Sequence, residues 1–326
     1  MTRDNTFDIM KGIGILAVIA GHTTTDTIAW KLIYSFHMPM FFILAGYFFK
    51  PNCNLKKKLN NDFHRLLIPY FVTIFIWGTL LFLYGNKSIS TYEYLLKATF
   101  FASGYTHTSP FFATAPRISV LWFLVALFWC RTIYNYISCK TQHKFVIAGI
   151  IAIIATITDR YIINLPLGLL TGMSAMMFYL IGDILHNNLP DRNTSRWFII
   201  ICATCWIIHL FFSKIEMCIC YYRIYPIDIL GTTFGSIAIY YISKGICHHA
   251  MRMGGAFLAT IGQISLTILC VHCLEKDLID YNITPLNNNW FLLFLTKSII
   301  CLGISFFWKK SQALVMNIIP GKNKHI

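Results

Sequence analysis

Lys11 and His22 bracket ten residues, G-I-G-I-L-A-V-I-A-G, that carry no reactive side chain. On a helix, eleven residues bring the chain to within about 20° of whole turns, so the two groups share one face about 16 Å apart. Asp8, Ile15 and Val18 fall on the same stripe. An ammonium suits a phosphate, and an imidazole that titrates near neutrality suits general base catalysis. His37 and His272 are expected at a similar depth to His22, from helices running in and out again, with Arg65 and Arg117 at the two mouths. Ionisable groups inside apolar runs are expensive and point to function by default, and Asp183, His209 and Asp228 belong to the same short set. The bland alternative for a buried histidine is an interhelical hydrogen bond, and His209 fits that reading best.

The elements that must hold these groups are helices in lipid. The chain has 326 residues, 56% hydrophobic and 16% aromatic, with only 12% charged, against about 25% in an ordinary soluble domain. Apolar runs of spanning length recur near 9–29, 32–49, 66–84, 119–138, 145–163, 165–186, 197–213, 219–243, 255–275 and 289–308. The expected fold is therefore all-α, a polytopic membrane bundle of about ten transmembrane helices forming a single domain over 1–326, without a fused soluble domain. The first run is not read as a signal peptide, because Asp4, Asp8 and Lys11 precede it and no small-residue cleavage site follows. Pro39 is expected to kink the second span.

The net charge of +14 raises the possibility of nucleic acid, which its distribution excludes. With a cytoplasmic N-terminus, one side collects Lys11, Lys50, Lys56, Lys57, Lys58, Arg65, Arg131, Lys140, Lys144 and others, while most acidic loop residues fall opposite. That asymmetry follows the positive-inside rule with both termini in the cytoplasm. Most of the eleven cysteines sit singly in apolar runs as small hydrophobes, and the spacing of Cys218, Cys220, Cys270 and Cys273 argues weakly for a metal or disulfide site. No metal is expected.

Several motifs, in order, resemble the acyltransferase-3 family of bacterial integral membrane acyltransferases, which includes O-antigen and exopolysaccharide O-acetyltransferases. The N-terminal pattern R-x4-D-x2-K-G-I-x7-G-H is met by Arg3, Asp8, Lys11, Gly12, Ile13, Gly21 and His22. F-H-M-P-x-F-F-x-x-x-G-Y follows from Phe36 to Tyr47, then R-L-L-I-P-Y from Arg65, L-W-F-L from Leu121, and I-G-Q-I-S-L-T-I-L-C-V-H ending at His272. One departure is Asp62, which stands where relatives commonly carry a second arginine.

The resemblance implies a multi-pass protein of the bacterial inner membrane that transfers a small acyl group, most often acetyl. The donor is cytoplasmic acyl-CoA, a co-substrate rather than a resident cofactor, and the acceptor is a hydroxyl of a carbohydrate or lipid-linked glycan. On this reading His22 is the general base, or a transient acyl carrier, and His37 orients it or binds the carbonyl. Lys11, Arg65, Lys57 and Lys58 meet the CoA phosphates. Asp8, Arg117, Trp122 and His272 face substrate, with the aromatic loop from Tyr105 to Phe112 beside them. A homodimer is left open. The competing class is a transporter or flippase with the histidines as a proton relay, against which stands the lack of a repeated half.

Overall fold

The computed structural model describes residues 4–84, 89–108, 114–188, 196–249, 254–282 and 289–318. Arg3 and residues 109–112 of the expected aromatic loop lie outside them. The fold is helical: α1 (Thr6–Gly21), α2 (Thr27–Tyr34), α3 (His37–Tyr47), α4 (Leu55–Asp62), α5 (Ile68–Tyr84), α6 (Ile89–Phe101), α7 (Trp122–Lys140), α8 (Lys144–Tyr161), α9 (Leu169–Asn188), α10 (Arg196–Phe212), α11 (Tyr225–His249), α12 (Gly255–Gln263), α13 (Ser265–Leu278) and α14 (Trp290–Ile318). A two-stranded hairpin, β1 (Ile215–Glu216) and β2 (Tyr221–Tyr222), joins α10 to α11.

Helix α9 packs on α3, α7 and α8, while α1 lies between α12 and α11. The α1–α12 approach depends on a reciprocal pair of glycines. A Cβ on Gly12 would stand 2.2 Å from the Leu258 carbonyl oxygen, and one on Gly262 would stand 1.7 Å from that of Asp8. No larger residue fits, so K-G-I and I-G-Q are one packing feature seen from two helices.

Each of the ten expected runs contains helix, but the boundaries differ. Among the described residues, five helical stretches are long and apolar enough to cross a membrane, and six if α12 and α13, bent by 73°, form one span. The first run ends at Gly21 rather than 29: Thr23 turns its amide and hydroxyl back on the Ala20 carbonyl, and Asp26 caps α2 by accepting from the Ala29 amide at 2.7 Å. The 219–243 run opens in the hairpin, and its helix starts only at Tyr225. The α8 run carries Lys144, Asp159 and Arg160.

The expected kink at Pro39 lies three residues earlier. The chain breaks at Ser35 and Phe36, where the Ser35 hydroxyl donates to the Leu32 carbonyl at 2.7 Å and accepts from the Trp206 indole at 2.8 Å. Pro39 then sits in the first turn of α3, where no intrahelical amide is required of it.

Candidate active site

Helix α1 ends at the imidazole it carries. His22 is the C-cap, its amide donating to the carbonyls of Val18 and Ile19, and its side chain opens on a cavity of about 380 Å³. His37, Arg117 and Trp122 line the same cavity, together with Tyr34, Tyr105, Glu216 and Lys276. Three separate parts of the chain thus bring four of the expected site residues to one place: the end of α1, the start of α3, and the segment entering α7.

His37 is buried at the start of α3, and its Nδ1 lies 2.7 Å from the Ile33 carbonyl oxygen. A carbonyl only accepts, so Nδ1 carries the proton and Nε2 of the neutral ring is left with a lone pair. His37 therefore does not hold His22 by that bond. The Tyr34 ring stands edge-on to it, with centroids 4.9 Å apart.

His272 lies behind His22 rather than in the cavity wall. The two ring centroids are 5.5 Å apart, and the His272 side chain is wholly buried. Its Nδ1 donates to the Glu275 carboxylate at 3.0 Å, and the Lys297 ammonium stands 3.1 Å from the other carboxylate oxygen. With Nδ1 protonated, Nε2 of His272 is an acceptor, and no described residue donates to it. The Cys301 thiol lies 3.8 Å from the same carboxylate, so His272, Glu275 and Cys301 form a cluster of metal-ligand types. The Lys297 ammonium already supplies positive charge to that carboxylate, so the cluster behind His22 is charge-balanced.

The residues expected to meet a donor's phosphates gather elsewhere. Lys11 pairs with Asp8 at 2.7 Å, and the amide of Gln263 is 3.4 Å from the same carboxylate, so Asp8 positions Lys11 rather than facing the cavity. Ile15 and Val18, between Lys11 and His22, are buried, and Val18 borders the His22 cavity. Lys58 pairs with Asp62 at 2.7 Å, and Arg131 pairs with the same carboxylate at 2.9 Å. Asp62 thus draws in two cations, and Lys58 is committed to that pair. Lys57 and Arg65 are exposed, the latter in a π-helical turn, Phe63–Leu67, of the kind that often marks a functional site.

Cys218 and Cys220 are free thiols, and the bonded pair is Cys53 with Cys139. Cys218 reaches the cavity, but burial pushes its thiol up to about 12, so it offers no thiolate near neutral pH. His209 accords with its structural reading, its Nε2 lying 2.8 Å from the fully buried Asp228 carboxylate. Sequence reasoning passed over Glu275, Lys276 and Glu216. The first two had a usable signal, since a carboxylate three residues after His272 lies on the same helical face; Glu216 enters through the hairpin, which apolar patterning hides.

The class that the fold defines is a helical membrane protein with a polar, histidine-lined cavity at one end of its bundle. A family model described as an acyltransferase domain matches residues 4–308, and the chain belongs to the acyltransferase-3 family: it is a membrane acyltransferase. Comparison with curated proteins gave no match, and comparison with solved structures gave none.

Proposed function

We propose that this protein is an O-acyltransferase of the bacterial inner membrane, moving a small acyl group, acetyl in the first instance, from cytoplasmic acyl-CoA to a carbohydrate hydroxyl. The observation that carries this reading is the placement of His22: its ring opens on the cavity and is backed by His272, Glu275 and Lys297. In the transfer, an imidazole nitrogen of His22 takes the hydroxyl proton as the oxygen bonds to the thioester carbonyl carbon. The carbon–sulfur bond then breaks, and the CoA thiolate leaves and is reprotonated. A positioned imidazole is the usual means of making a weak hydroxyl nucleophile competent.

His37, with its proton given to Ile33, presents a lone pair and suits an acceptor hydroxyl better than a thioester carbonyl. Trp122, Tyr34 and Tyr105 supply aromatic faces of the sort that sugars stack upon. Lys11, Lys57 and Arg65 are the cations available to the CoA phosphates, on the other end of α1 and on the α4–α5 segment. A pantetheine arm following the stripe from Lys11 to His22 has to displace the packing over Ile15, which is buried, whereas Val18, one turn before His22, already borders the cavity.

The test is transfer of label from radioactive acetyl-CoA to a glycan extract by the purified protein. Wild type should transfer, and His22→Ala should lose about 10²-fold or more while its melting temperature is retained. Undiminished transfer by His22→Ala would remove His22 from the chemistry, and absence of transfer by wild type to any glycan fraction would remove the carbohydrate acceptor.

A further inference from the structure

A second chamber, of about 290 Å³, adjoins the His22 cavity. The two share Arg117 and Ser119 in their walls, and the second is otherwise lined from α5 and α6, including Trp77, Thr91 and Tyr94. Its chemistry is one-sided, because no carboxylate is in its lining. Arg117 is exposed, and among the described residues its guanidinium has no acidic partner within ion-pair distance. Tyr94 donates its hydroxyl to the Arg117 main-chain carbonyl at 3.3 Å, which fixes the backbone and leaves the guanidinium unengaged by that bond.

Two further donors in this wall have nothing to donate to. The Trp77 indole nitrogen and the Ser119 hydroxyl are both buried, and neither has a hydrogen-bond partner among the described residues, although Trp77 is 7% and Ser119 8% exposed. Leaving such groups unpaired in a buried wall is costly. Ser119 also holds a left-handed backbone, φ +59°, at a non-glycine position where that conformation is disfavoured. An exposed cation with two buried, unpartnered donors on residues of the same wall suits an oxyanion.

We propose that this chamber is a second acceptor subsite, holding a carboxylate or phosphate of the carbohydrate against Arg117, Ser119 and Trp77 while the hydroxyl to be acylated lies by His22. The inference rests on the carbohydrate-acceptor reading above and narrows it to acidic or phosphorylated glycans.

Binding to the full-length protein in nanodiscs, followed by tryptophan fluorescence, tests it with four probes: methyl glucuronide, glucose 1-phosphate, methyl glucoside and CoA. At least one of the two anionic sugars should bind about ten-fold or more tighter than methyl glucoside, the gain expected of a charge-assisted bond. Whichever is favoured tells a carboxylate source from a phosphate source. Arg117→Ala should erase the preference, Arg117→Lys should restore part of it, and Ser119→Ala should reduce it. Equal binding of the charged and neutral sugars, no binding of any sugar, or a preference that survives Arg117→Ala would each overturn the proposal. CoA affinity that falls in Arg117→Ala but not in Lys11→Ala would also overturn it, by giving the chamber to the donor. His22→Ala should keep the sugar preference while losing acetyl transfer, so failure of the catalytic reading and failure of the subsite show separately.

Discussion

At the scale of single residues, the site is a graded series of imidazoles: His22 in the cavity wall, His37 with its proton fixed on Nδ1, and His272 sealed behind. The seal makes the last of these electrostatically demanding. Glu275 and His272 have side chains 1% and 0% exposed, and Lys297 is 8% exposed, so each charge there depends on the others for solvation. Glu275→Gln leaves the Lys297 ammonium without its carboxylate and should cost about 3–5 kcal/mol, the range for breaking a buried pair. The double variant Glu275→Gln with Lys297→Met should regain at least half of that loss, because the stranded charge goes too. Thermal unfolding of the purified protein in one detergent reads both effects, and an unchanged melting temperature for Glu275→Gln would mean that the network carries no charge. Glu275 closes the apolar run 255–275 and from sequence counts among the acidic loop residues; α13 runs to Leu278 and takes the carboxylate inside.

At the scale of elements, the apolar patterning located helices in all ten runs, and the motifs located the residues that meet at the cavity. What it did not reveal are the interruptions. Hydropathy is insensitive to a backbone that leaves and re-enters a helix within apolar residues, so the breaks at Ser35–Phe36 and at Ile264 were not legible. Both depend on side chains from elsewhere or on packing: the Trp206 bond to Ser35 comes from 171 residues away. The glycines were legible as small residues but not as partners. Since a Cβ at Gly262 would collide with main chain at 1.7 Å, Gly262→Ala must force α12 off α1, at a cost of about 1–3 kcal/mol for overpacking. It should lower the melting temperature and, by displacing the Lys11–His22 face, acetyl transfer as well. Gly245→Ala is the control, because nothing lies within 4 Å of a Cβ there, and it should be neutral or slightly stabilising. Equal behaviour of the two variants would argue that the α1–α12 contact is not the close one described.

At the scale of the whole molecule, three helices agree on a polarity. Helix α1 runs from Lys11 to His22, α3 from His37 toward the basic 50–58 segment, and α7 from Trp122 at the cavity to Lys140, about 27 Å away at 1.5 Å per residue. That distance approaches the hydrocarbon thickness of about 30 Å. The cavity and the cation-rich face therefore lie near opposite ends of the bundle, and on the proposed inner-membrane reading the positive-inside rule puts the latter in the cytoplasm. This face is tied together by several links: Asn52 and Asn135 exchange two hydrogen bonds at 2.9 Å, Asp62 binds Lys58 and Arg131, and Lys144 pairs with Asp183; Cys53 and Cys139 stand there within bonding reach, their Cα atoms 5.5 Å apart. A cytoplasmic location carries a redox consequence, since the cytosol keeps thiols reduced. In intact cells quenched with a membrane-permeant maleimide, Cys53 and Cys139 should both be alkylated as free thiols, and a mass tag applied after reduction should find neither. Cys53→Ser with Cys139→Ser should retain acetyl transfer, because the asparagine pair and the Asp62 ion pairs still hold the loop. Recovery of the two as an oxidised pair from quenched cells would place the basic face outside, turn the His22 cavity toward the cytosol, and exchange the sides from which donor and acceptor arrive.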